Sequence, residues 1–339
     1  MTGIERMTFS KAINAGLRRC LETDPKVILM GEDIGTLGGV FRVTDGLQKD
    51  FGADRVVDTP LAESGIVGTA IGLALRGYRP VLEIQFDGFI FPAFNQITTQ
   101  LAKLSYRSRG KLRAPVVIRV PYGGNIGAIE HHSESPEVLF AHTAGLRVVS
   151  PASPADAFVM IQQAVASPDP VLFFEPKARY WDKGEVDLSV TVTADDAGTT
   201  SAAVVALDEA RVARAGVDLT IAAYGATVST ALKAAESAAG EGVSVEVIDL
   251  RSISPLDCDT LVTSVRKTGR CVVVHEAPVF YGTGGEIAAR VTEACFYQLQ
   301  APVLRVGGFH TPYPVNKLEA AYLPGMDRIL DAVDRAMAY

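Results

Sequence analysis

The stretch Asp58-Thr-Pro-Leu-Ala-Glu-Ser-Gly-Ile-Val-Gly-Thr-Ala-Ile-Gly-Leu-Ala-Leu75 decides the fold of this 339-residue chain. The β-like run that leads into Asp58 predicts a strand, and Pro60 ends it because proline has no N–H to donate to a sheet. The apolar residues that follow predict a helix from about Ala62. A strand that leads directly into a helix is the repeating unit of a parallel α/β sheet.

Three glycines in this helix share one face. Gly65, Gly68 and Gly72 are three and four residues apart, the spacing of neighbours on a helix surface. Each weakens a helix by about 1 kcal/mol relative to alanine, so we expect another backbone to pack closely against this face. Glu63 lies in the first turn. It is either an ordinary acid that complements the helix dipole or a poorly solvated carboxylate that exchanges a proton with a ligand.

The composition excludes several classes of protein. With 48% hydrophobic and 21% charged residues the chain is globular, and its net charge of −7 argues against nucleic acid or an anionic membrane as a partner. The four cysteines have no metal-like spacing and are expected to be reduced thiols. No apolar run is long enough to span a bilayer, and no signal or transit pattern is present, so we expect a cytoplasmic protein.

Two series of alternating strands and helices predict two doubly wound, mostly parallel α/β domains. Between the two series the composition shifts toward Thr, Ser, Asp and Gly, and the helical periodicity disappears. We therefore expect a first domain over residues 1–185, a linker over 186–202 and a smaller α/β domain over 203–339.

Polar and aromatic side chains follow the strand predicted before Gln85. Gln85, Phe86 and Asp87 come at its carboxyl end, where parallel α/β sheets bind ligands. Further along the chain, His131 and His132 follow a glycine-rich turn. Histidine titrates near neutral pH and suits proton transfer, although an exposed loop histidine is often only a solvated residue.

Several catalytic signatures are absent from the sequence. It contains no Gly-x-Ser-x-Gly, no His-Glu-x-x-His and no Cys-x-x-Cys, which argues against a serine hydrolase elbow and a zinc site. The turn Gly282-Thr-Gly-Gly285 lacks the third glycine of a dinucleotide fingerprint, which disfavours a dinucleotide-binding oxidoreductase.

Four motifs together resemble one enzyme family, the β subunit of the thiamine-diphosphate-dependent decarboxylase component of 2-oxo acid dehydrogenase complexes. The motifs are Asp58-Thr-Pro-Leu-Ala-Glu-Ser-Gly65, Glu83-Ile-Gln-Phe-Asp87 with Phe91-Pro-Ala-Phe94, His132-Ser133, and Phe174-Glu-Pro-Lys177. The resemblance covers nearly the whole chain. It implies a thiamine-diphosphate-binding (pyrimidine) α/β domain followed by a transketolase C-terminal-like α/β domain.

Within this family the chain is most similar to the branched-chain, or 2-oxoisovalerate, members. The resemblance lies in His275-Glu-Ala-Pro278, Gln300-Ala-Pro302 and Gly308-Phe-His-Thr-Pro312. It implies oxidative decarboxylation of branched-chain 2-oxo acids and reductive acylation of the lipoyl group of the acyltransferase. The pyruvate or acetoin branch is the close alternative, because the α subunit contributes much of the substrate pocket. A non-catalytic assembly subunit is disfavoured because Glu63 and His132 are both present.

The resemblance also implies roles for individual residues. Glu63 would hydrogen-bond the aminopyrimidine ring of the cofactor and promote the tautomer that activates it. His132 would handle protons during acyl transfer to the lipoyl group. The pyrimidine pocket would be lined by Leu61, Gln85, Phe86 and Tyr106.

The same resemblance implies two cations, Mg²⁺ and potassium. Thiamine enzymes hold the diphosphate through Mg²⁺ on a Gly-Asp-Gly motif, which this chain lacks, so an α subunit would supply the metal half. The implied assembly is an α₂β₂ heterotetramer that binds the lipoyl-bearing acyltransferase core. Some relatives also bind potassium at a turn that corresponds here to Val116, Ala164, Val165 and Asp169, with Ser167 replacing an acid found in some of them.

Overall fold

The structure, a computed structural model, describes residues 3–194 and 204–339. In these ranges strands and helices alternate along most of the chain. The strands are β1 (Ile4–Thr8), β2 (Val27–Gly31), β3 (Val56–Asp58), β4 (Arg79–Glu83), β5 (Val117–Tyr122), β6 (Arg147–Val149), β7 (Val171–Pro176), β8 (Lys183–Asp187), β9 (Arg211–Arg214), β10 (Leu219–Ala223), β11 (Val245–Asp249), β12 (Ser252–Ser254), β13 (Cys271–Pro278) and β14 (Leu304–Gly308). The α-helices are α1 (Phe9–Thr23), α2 (Leu47–Phe51), α3 (Glu63–Leu75), α4 (Leu104–Arg107), α5 (Glu137–Ala141), α6 (Pro154–Ala166), α7 (Thr227–Gly240), α8 (Cys258–Thr268), α9 (Thr283–Cys295), α10 (Asn316–Tyr322) and α11 (Met326–Met337).

The first half of the chain builds a sheet in the order β12-β6-β7-β5-β4-β2-β3. Its strands are parallel except β12, which comes from the second half and pairs antiparallel with β6. Gly31 at the end of β2 pairs with Asp58 of β3 and with Glu83 of β4. The residues that follow these three strands therefore meet at one carboxyl edge of the sheet, the place where such folds bind ligands.

The second half builds a sheet in the order β14-β13-β10-β11-β9, parallel except for β9. One apolar cluster joins the two halves, because Phe140 and Phe174 belong to the same buried core as Ile253 and Val273. The predicted linker, residues 186–202, begins inside β8, and its residues 195–202 lie outside the described part of the chain. In the described ranges, no helix combines the length and the apolar character that crossing a membrane requires.

Helix α3 is buried on one side and bare on the other. Ile66 and Ala70 pack into the core, whereas Gly65, Gly68 and Gly72 are exposed. A Cβ added to Gly68 or Gly72 would meet no described atom within 4 Å. The close backbone approach that the glycine spacing predicts is therefore not made by the described residues of this chain.

The sequence of residues 91–106 predicts one long helix, but the segment after β4 has a different structure. It forms a 3₁₀ helix at Asp87–Ala93, a π-helical segment at Gln96–Leu101 and then the short helix α4. Pro92 lies inside the first piece. Proline cannot donate the i→i−4 hydrogen bond and its ring clashes with the preceding turn, which explains why a regular α-helix does not form there.

Candidate functional site

The carboxyl edge formed by β3, β2 and β4 gathers three acidic residues, Glu32, Asp33 and Glu63, which we call the acidic edge. Glu32 and Glu63 are only 8% and 7% exposed, respectively. Burial raises the pKa of Glu32, and the charges of Glu63 and Asp33 raise it further. Oε1 of Glu32 is buried and has no hydrogen-bond partner among the described residues. Such a group is costly unless a ligand or another chain provides a partner.

Glu63 is the first residue of α3, and its position explains part of its burial. The helix has no side-chain cap, because Ala62 occupies the N-cap position. The Glu63 carboxylate therefore lies beside backbone N–H groups that lack intrahelical partners. It forms no hydrogen bond or ion pair with other side chains in the described ranges. The geometry thus agrees with the helix-dipole interpretation and also leaves the carboxylate available to a ligand.

Two aromatic rings hold His132 near this edge. Phe86 stacks on the His132 imidazole with ring centroids 3.9 Å apart and planes at 15°, and Phe89 meets the imidazole edge-on at 5.2 Å. Nδ1 of His132 lies 2.9 Å from the carbonyl oxygen of His131. In the neutral ring Nδ1–H donates to that carbonyl, so Nε2 remains an acceptor.

The loop that carries His132 packs directly on the 3₁₀ helix after β4. A Cβ on Gly88 would lie only 2.4 Å from the carbonyl oxygen of His131, so only glycine permits this approach. His131 itself is exposed, and its Nδ1 lies 3.4 Å from a carboxylate oxygen of Glu130. The structure therefore gives the two histidines different surroundings, with His132 held by rings and His131 facing solvent.

A buried charge network fixes the strand that ends at this edge. Arg119 on β5 donates to Glu83 at 2.7 Å and to both oxygens of Glu175, at 2.6 and 3.0 Å. The hydroxyl of Tyr180 also donates to Glu175, at 2.6 Å. Burial raises the pKa of Glu83, and the charge of Arg119 partly offsets the effect. These bonds tie β4 to β5 and β7, which sets where the residues after β4 emerge.

The structure brings most of the predicted pocket residues to the same region. Leu61 is 78% exposed and directly precedes the helix of Glu63, and Gln85 is half-buried, with Nε2 3.5 Å from a carboxylate oxygen of Asp33. Tyr106 is different: it is 87% exposed and lines another cavity, near the amino ends of β5, β6 and β7. Phe89 is not among the predicted pocket residues. It lies three residues after Phe86, and this spacing could have indicated that the two rings share one side of a helical turn.

The turn after α6, where the resemblance implies potassium, already holds a cation from the chain. Nη1 of Arg79 donates to the carbonyl oxygen of Val165 at 2.8 Å and to those of Ala166 and Ser167 at 3.3 Å each. A guanidinium at the carboxyl end of a helix satisfies carbonyls that lack intrahelical partners and complements the helix dipole.

The remaining predicted potassium ligands also have partners. Asp169 forms an ion pair with Arg113 at 3.0 Å. The carbonyl of Val116 accepts from the N–H of Val171 at 2.9 Å, and that of Ala164 accepts from the N–H three residues later. A potassium ion would have to share or displace these donors, so the residues present do not fit the ion. Within residues 3–194 and 204–339, no three His, Cys, Asp or Glu side chains are grouped to hold a metal ion.

Comparisons with known proteins agree along the whole chain. The family model of the transketolase pyrimidine binding domain matches residues 5–182, and that of the transketolase C-terminal domain matches residues 208–329. The pyruvate dehydrogenase E1 component subunit beta of Leifsonia xyli is 59% identical over 336 residues, which are 99% of this chain and 96% of that protein. The 3-methyl-2-oxobutanoate dehydrogenase subunit beta of Mycobacterium tuberculosis is 51% identical over 334 residues, which are 98% of this chain and 92% of that protein.

A solved structure shows the same architecture. A split gene transketolase, described as an inactive beta4 tetramer, superimposes with a TM-score of 0.77 over 98% of both chains, at 22% identity. At that identity the likeness supports the fold alone. The predicted fold class, a pyrimidine-binding α/β domain followed by a transketolase C-terminal-like α/β domain, is confirmed.

Proposed function

This chain belongs to the family of E1 beta subunits of 2-oxo acid dehydrogenase complexes, and we propose that it supplies the pyrimidine half of a thiamine-diphosphate site that an α subunit completes. The observation that carries the proposal is Glu63. Glu63 is a buried residue, 7% exposed, at an uncapped helix start, and its carboxylate forms no hydrogen bond or ion pair with other side chains in the described ranges. A ring nitrogen that shares a proton with it would remove the cost of that burial.

The acidic edge suits the heterocyclic end of the cofactor rather than its phosphates. Gln85 offers an amide, Phe86 and Phe89 offer aromatic surface, and Leu61 offers an exposed apolar side chain beside Glu63. Two phosphates require cations, whereas this edge is acidic and the sequence has no Gly-Asp-Gly. We assign Mg²⁺ and the diphosphate to the α subunit, in an α₂β₂ heterotetramer.

The exposed side of α3 supports this pairing. Gly68 and Gly72 have no described atom within 4 Å of an added Cβ, so a second backbone can approach the helix that begins with Glu63. Thiamine diphosphate, when bound, supplies the carbon nucleophile and the electron sink for decarboxylation of a 2-oxo acid. Glu63 would be the residue that holds or releases a proton toward the pyrimidine ring nitrogen.

His132 serves the second half of the reaction. Its Nε2 makes no hydrogen bond in the described part of the chain, while Nδ1 is held by the His131 carbonyl. The stacked ring of Phe86 sets the plane of the imidazole. The neutral ring can therefore pass a proton through Nε2 while an acyl group moves to a lipoyl group of the acyltransferase core.

We infer that the substrate is a branched-chain 2-oxo acid of the 2-oxoisovalerate type. The support is the resemblance of His275-Glu-Ala-Pro278 and Gly308-Phe-His-Thr-Pro312 to that branch, together with the relative from Mycobacterium tuberculosis. Pyruvate (or acetoin) is the second candidate, and the 59% identity to the Leifsonia xyli protein favours pyruvate.

The experiment that separates these substrates is turnover in a complex reconstituted with the α subunit and the acyltransferase. We expect kcat/KM for 2-oxoisovalerate to exceed that for pyruvate by about 10-fold or more, the discrimination that one or two methyl groups give in an apolar pocket. A preference for pyruvate would reverse the assignment.

Dependence on the α subunit is tested by titrating the isolated chain with thiamine diphosphate and Mg²⁺. We expect no tight binding by the chain alone and tight binding once the α subunit is added. Stoichiometric binding by the isolated chain would contradict the half-site proposal.

A further inference from the structure

A fully buried ion pair lies next to the loop that carries His132. Nζ of Lys177 is 2.7 Å from Oδ1 of Asp87, and both side chains are 0% exposed. Asp87 follows β4 and Lys177 follows β7, so the pair bridges two strands that are separated in the sheet by β5. Buried pairs of this kind contribute little net stability, because desolvation of both charges offsets their attraction. In some proteins such a pair instead specifies which conformation is adopted.

Asp87 fixes the backbone of the histidine loop. Its second oxygen, Oδ2, accepts a hydrogen bond from the N–H of Glu134 at 2.9 Å. The carbonyl of Glu134 in turn accepts from the N–H of Gly123 at 2.9 Å. Glu134 is two residues after His132, so the chain is held through both the N–H and the carbonyl of one residue close to the imidazole.

Lys177 acts on the ring that supports the imidazole. Its Nζ lies 5.7 Å from the centroid of Phe86, within the range of a cation–π interaction. The same ring stacks on His132 with centroids 3.9 Å apart. Asp87 is the residue directly after Phe86, so the ion pair also restricts the backbone that presents the stacking ring.

We propose that Asp87 and Lys177 are positioning residues that hold the His132 imidazole in the orientation required for acyl transfer. Asp87 does so through the Glu134 backbone, and Lys177 does so through Phe86. The inference deepens the proposed function and rests on it. It predicts that the pair affects the step that uses His132 more than the step that uses Glu63.

The test uses the α₂β₂ complex with a free lipoyl domain. Two rates are measured, decarboxylation of the 2-oxo acid with an artificial electron acceptor and single-turnover acylation of the lipoyl domain. For Lys177→Met we expect acylation to fall about 10- to 100-fold, the cost of a catalytic group displaced by about 1 Å. Decarboxylation should change by less than about 3-fold. Lys267→Met, which removes the cation paired with Glu246 in the second sheet, is the control and should change neither rate.

Lys177→Arg provides the rescue that a purely structural role would not require. It keeps the positive charge over Phe86 and opposite Asp87, so acylation should recover to within about 5-fold of the wild-type rate. The pH profile of acylation should shift in Lys177→Met and return in Lys177→Arg. If Lys177→Met does not assemble, Asp87→Asn is measured in its place, because it removes the charge that pairs with Lys177, and it must show a larger loss in acylation than in decarboxylation.

The outcomes separate this inference from the function on which it rests. No acylation by the wild-type complex would refute the proposed function itself. Normal wild-type acylation together with unchanged acylation in Lys177→Met would overturn only the positioning role. Equal losses in both rates, matched by the loss of folded complex, would also overturn it, because they would show that the pair serves stability alone.

Discussion

Two histidines lie near the carboxyl edges of the two sheets, and their surroundings differ. His275 on β13 is fully buried; its Nδ1 lies 2.9 Å from the carbonyl of Ala277, and its Nε2 accepts from the N–H of Gly284 at 3.2 Å. Burial lowers the pKa of His275 to about 4. His132 is half-buried, and its Nε2 has no hydrogen-bond partner in the described ranges. The chain itself occupies both nitrogens of one ring and leaves one nitrogen of the other free.

The glycine turn at the second sheet explains how that edge is closed. A Cβ on Gly282 would lie 2.6 Å from Cε1 of His275, and one on Gly284 would lie 2.7 Å from Nε2. The turn Gly282-Thr-Gly-Gly285, which partly resembles a dinucleotide fingerprint, therefore packs directly on His275 and covers it. At the first sheet, within the described ranges, His132 is only half-buried and its Nε2 has no hydrogen-bond partner. The described residues thus occupy both ring nitrogens of the histidine at one edge and leave Nε2 of the histidine at the other edge without a hydrogen-bond partner.

The largest expected effect is at the open edge. His132→Gln keeps the size and the polarity of the side chain but removes its ability to transfer a proton near neutral pH. We expect acylation of the lipoyl domain to fall about 10²- to 10⁴-fold, the usual contribution of a general acid or base. Stopped-flow acylation in the reconstituted complex measures this. His142→Gln, at an exposed position, is the control, and a loss of similar size there would break the comparison.

A buried carboxylate between the two halves should make stability fall as pH rises. Glu137 is 0% exposed and accepts from the hydroxyl of Tyr224 at 2.6 Å. Burial raises the pKa of Glu137 to about 7, with smaller contributions from Glu276 and Asp87. Because the folded state binds the proton more tightly, its contribution is lost between about pH 4.5 and 7.

Glu137→Gln tests that slope. Glutamine resembles the protonated acid, so the variant and the wild type should match at pH 5. At pH 8 the variant should be more stable by up to about 3 kcal/mol, at about 1.4 kcal/mol for each pH unit. Thermal unfolding of the complex across this range measures the difference. Parallel curves for the two proteins would show that Glu137 titrates normally.

His275 should give the opposite slope at the closed edge. Its pKa is lowered from 6.5 to about 4, so its contribution to stability is present above pH 6.5 and is lost as pH falls from 6.5 toward 4. His275→Leu should remove this slope. It also leaves the N–H of Gly284 and the carbonyl of Ala277 without their partner, at a cost of about 2 kcal/mol in unfolding free energy at pH 7.5.

The same variant sharpens the comparison of the two edges. Activity per assembled complex should stay within about 2-fold of wild type for His275→Leu, because the closed edge takes no part in the proposed chemistry. Assays at a temperature well below the unfolding midpoint measure this. A selective loss of activity would place the second sheet in the reaction.

The smallest effect is expected at the turn after α6. Arg79→Met leaves three carbonyls without their cation, at Val165, Ala166 and Ser167. We expect the variant to lose about 1.5 kcal/mol of stability, the lower end of the range for hydrogen bonds to a charged group, because the Arg79 side chain is partly exposed. Potassium should not change the unfolding midpoint of the wild type relative to sodium. A potassium-specific rise in the wild type would restore the implied ion site.

The sequence predicts those parts of the fold that depend on local pattern. The apolar residues from Met326 to Met337 recur with helical periodicity and predict a helix over this range, and α11 has those bounds. Strand β12, at Ser252–Ser254, is absent from the prediction. A three-residue strand has no readable period, and its pairing with β6 across about 100 residues is set by tertiary packing.

The candidate site divides in the same way. Glu63 and Phe86 stand beside Pro60 and the end of a predicted strand, so local pattern together with the resemblance indicates them. Asp87 and Lys177 are 90 positions apart in the sequence, so no local sequence pattern could predict that they form an ion pair. Tyr106 was implied by the resemblance alone, and in the structure it lies on α4, is 87% exposed and lines a different cavity.

The most direct test of the central claim is the rate at which thiamine diphosphate exchanges its thiazolium C2 proton for deuterium, followed by NMR. The rate is compared for the isolated chain, the complex with the α subunit, and the complexes that carry Glu63→Gln or Glu236→Gln, an exposed acid on α7. We predict fast exchange only in the wild-type and Glu236→Gln complexes, and a rate about 10²- to 10⁴-fold lower with Glu63→Gln. Fast exchange in the isolated chain, or an unchanged rate with Glu63→Gln, would contradict the account.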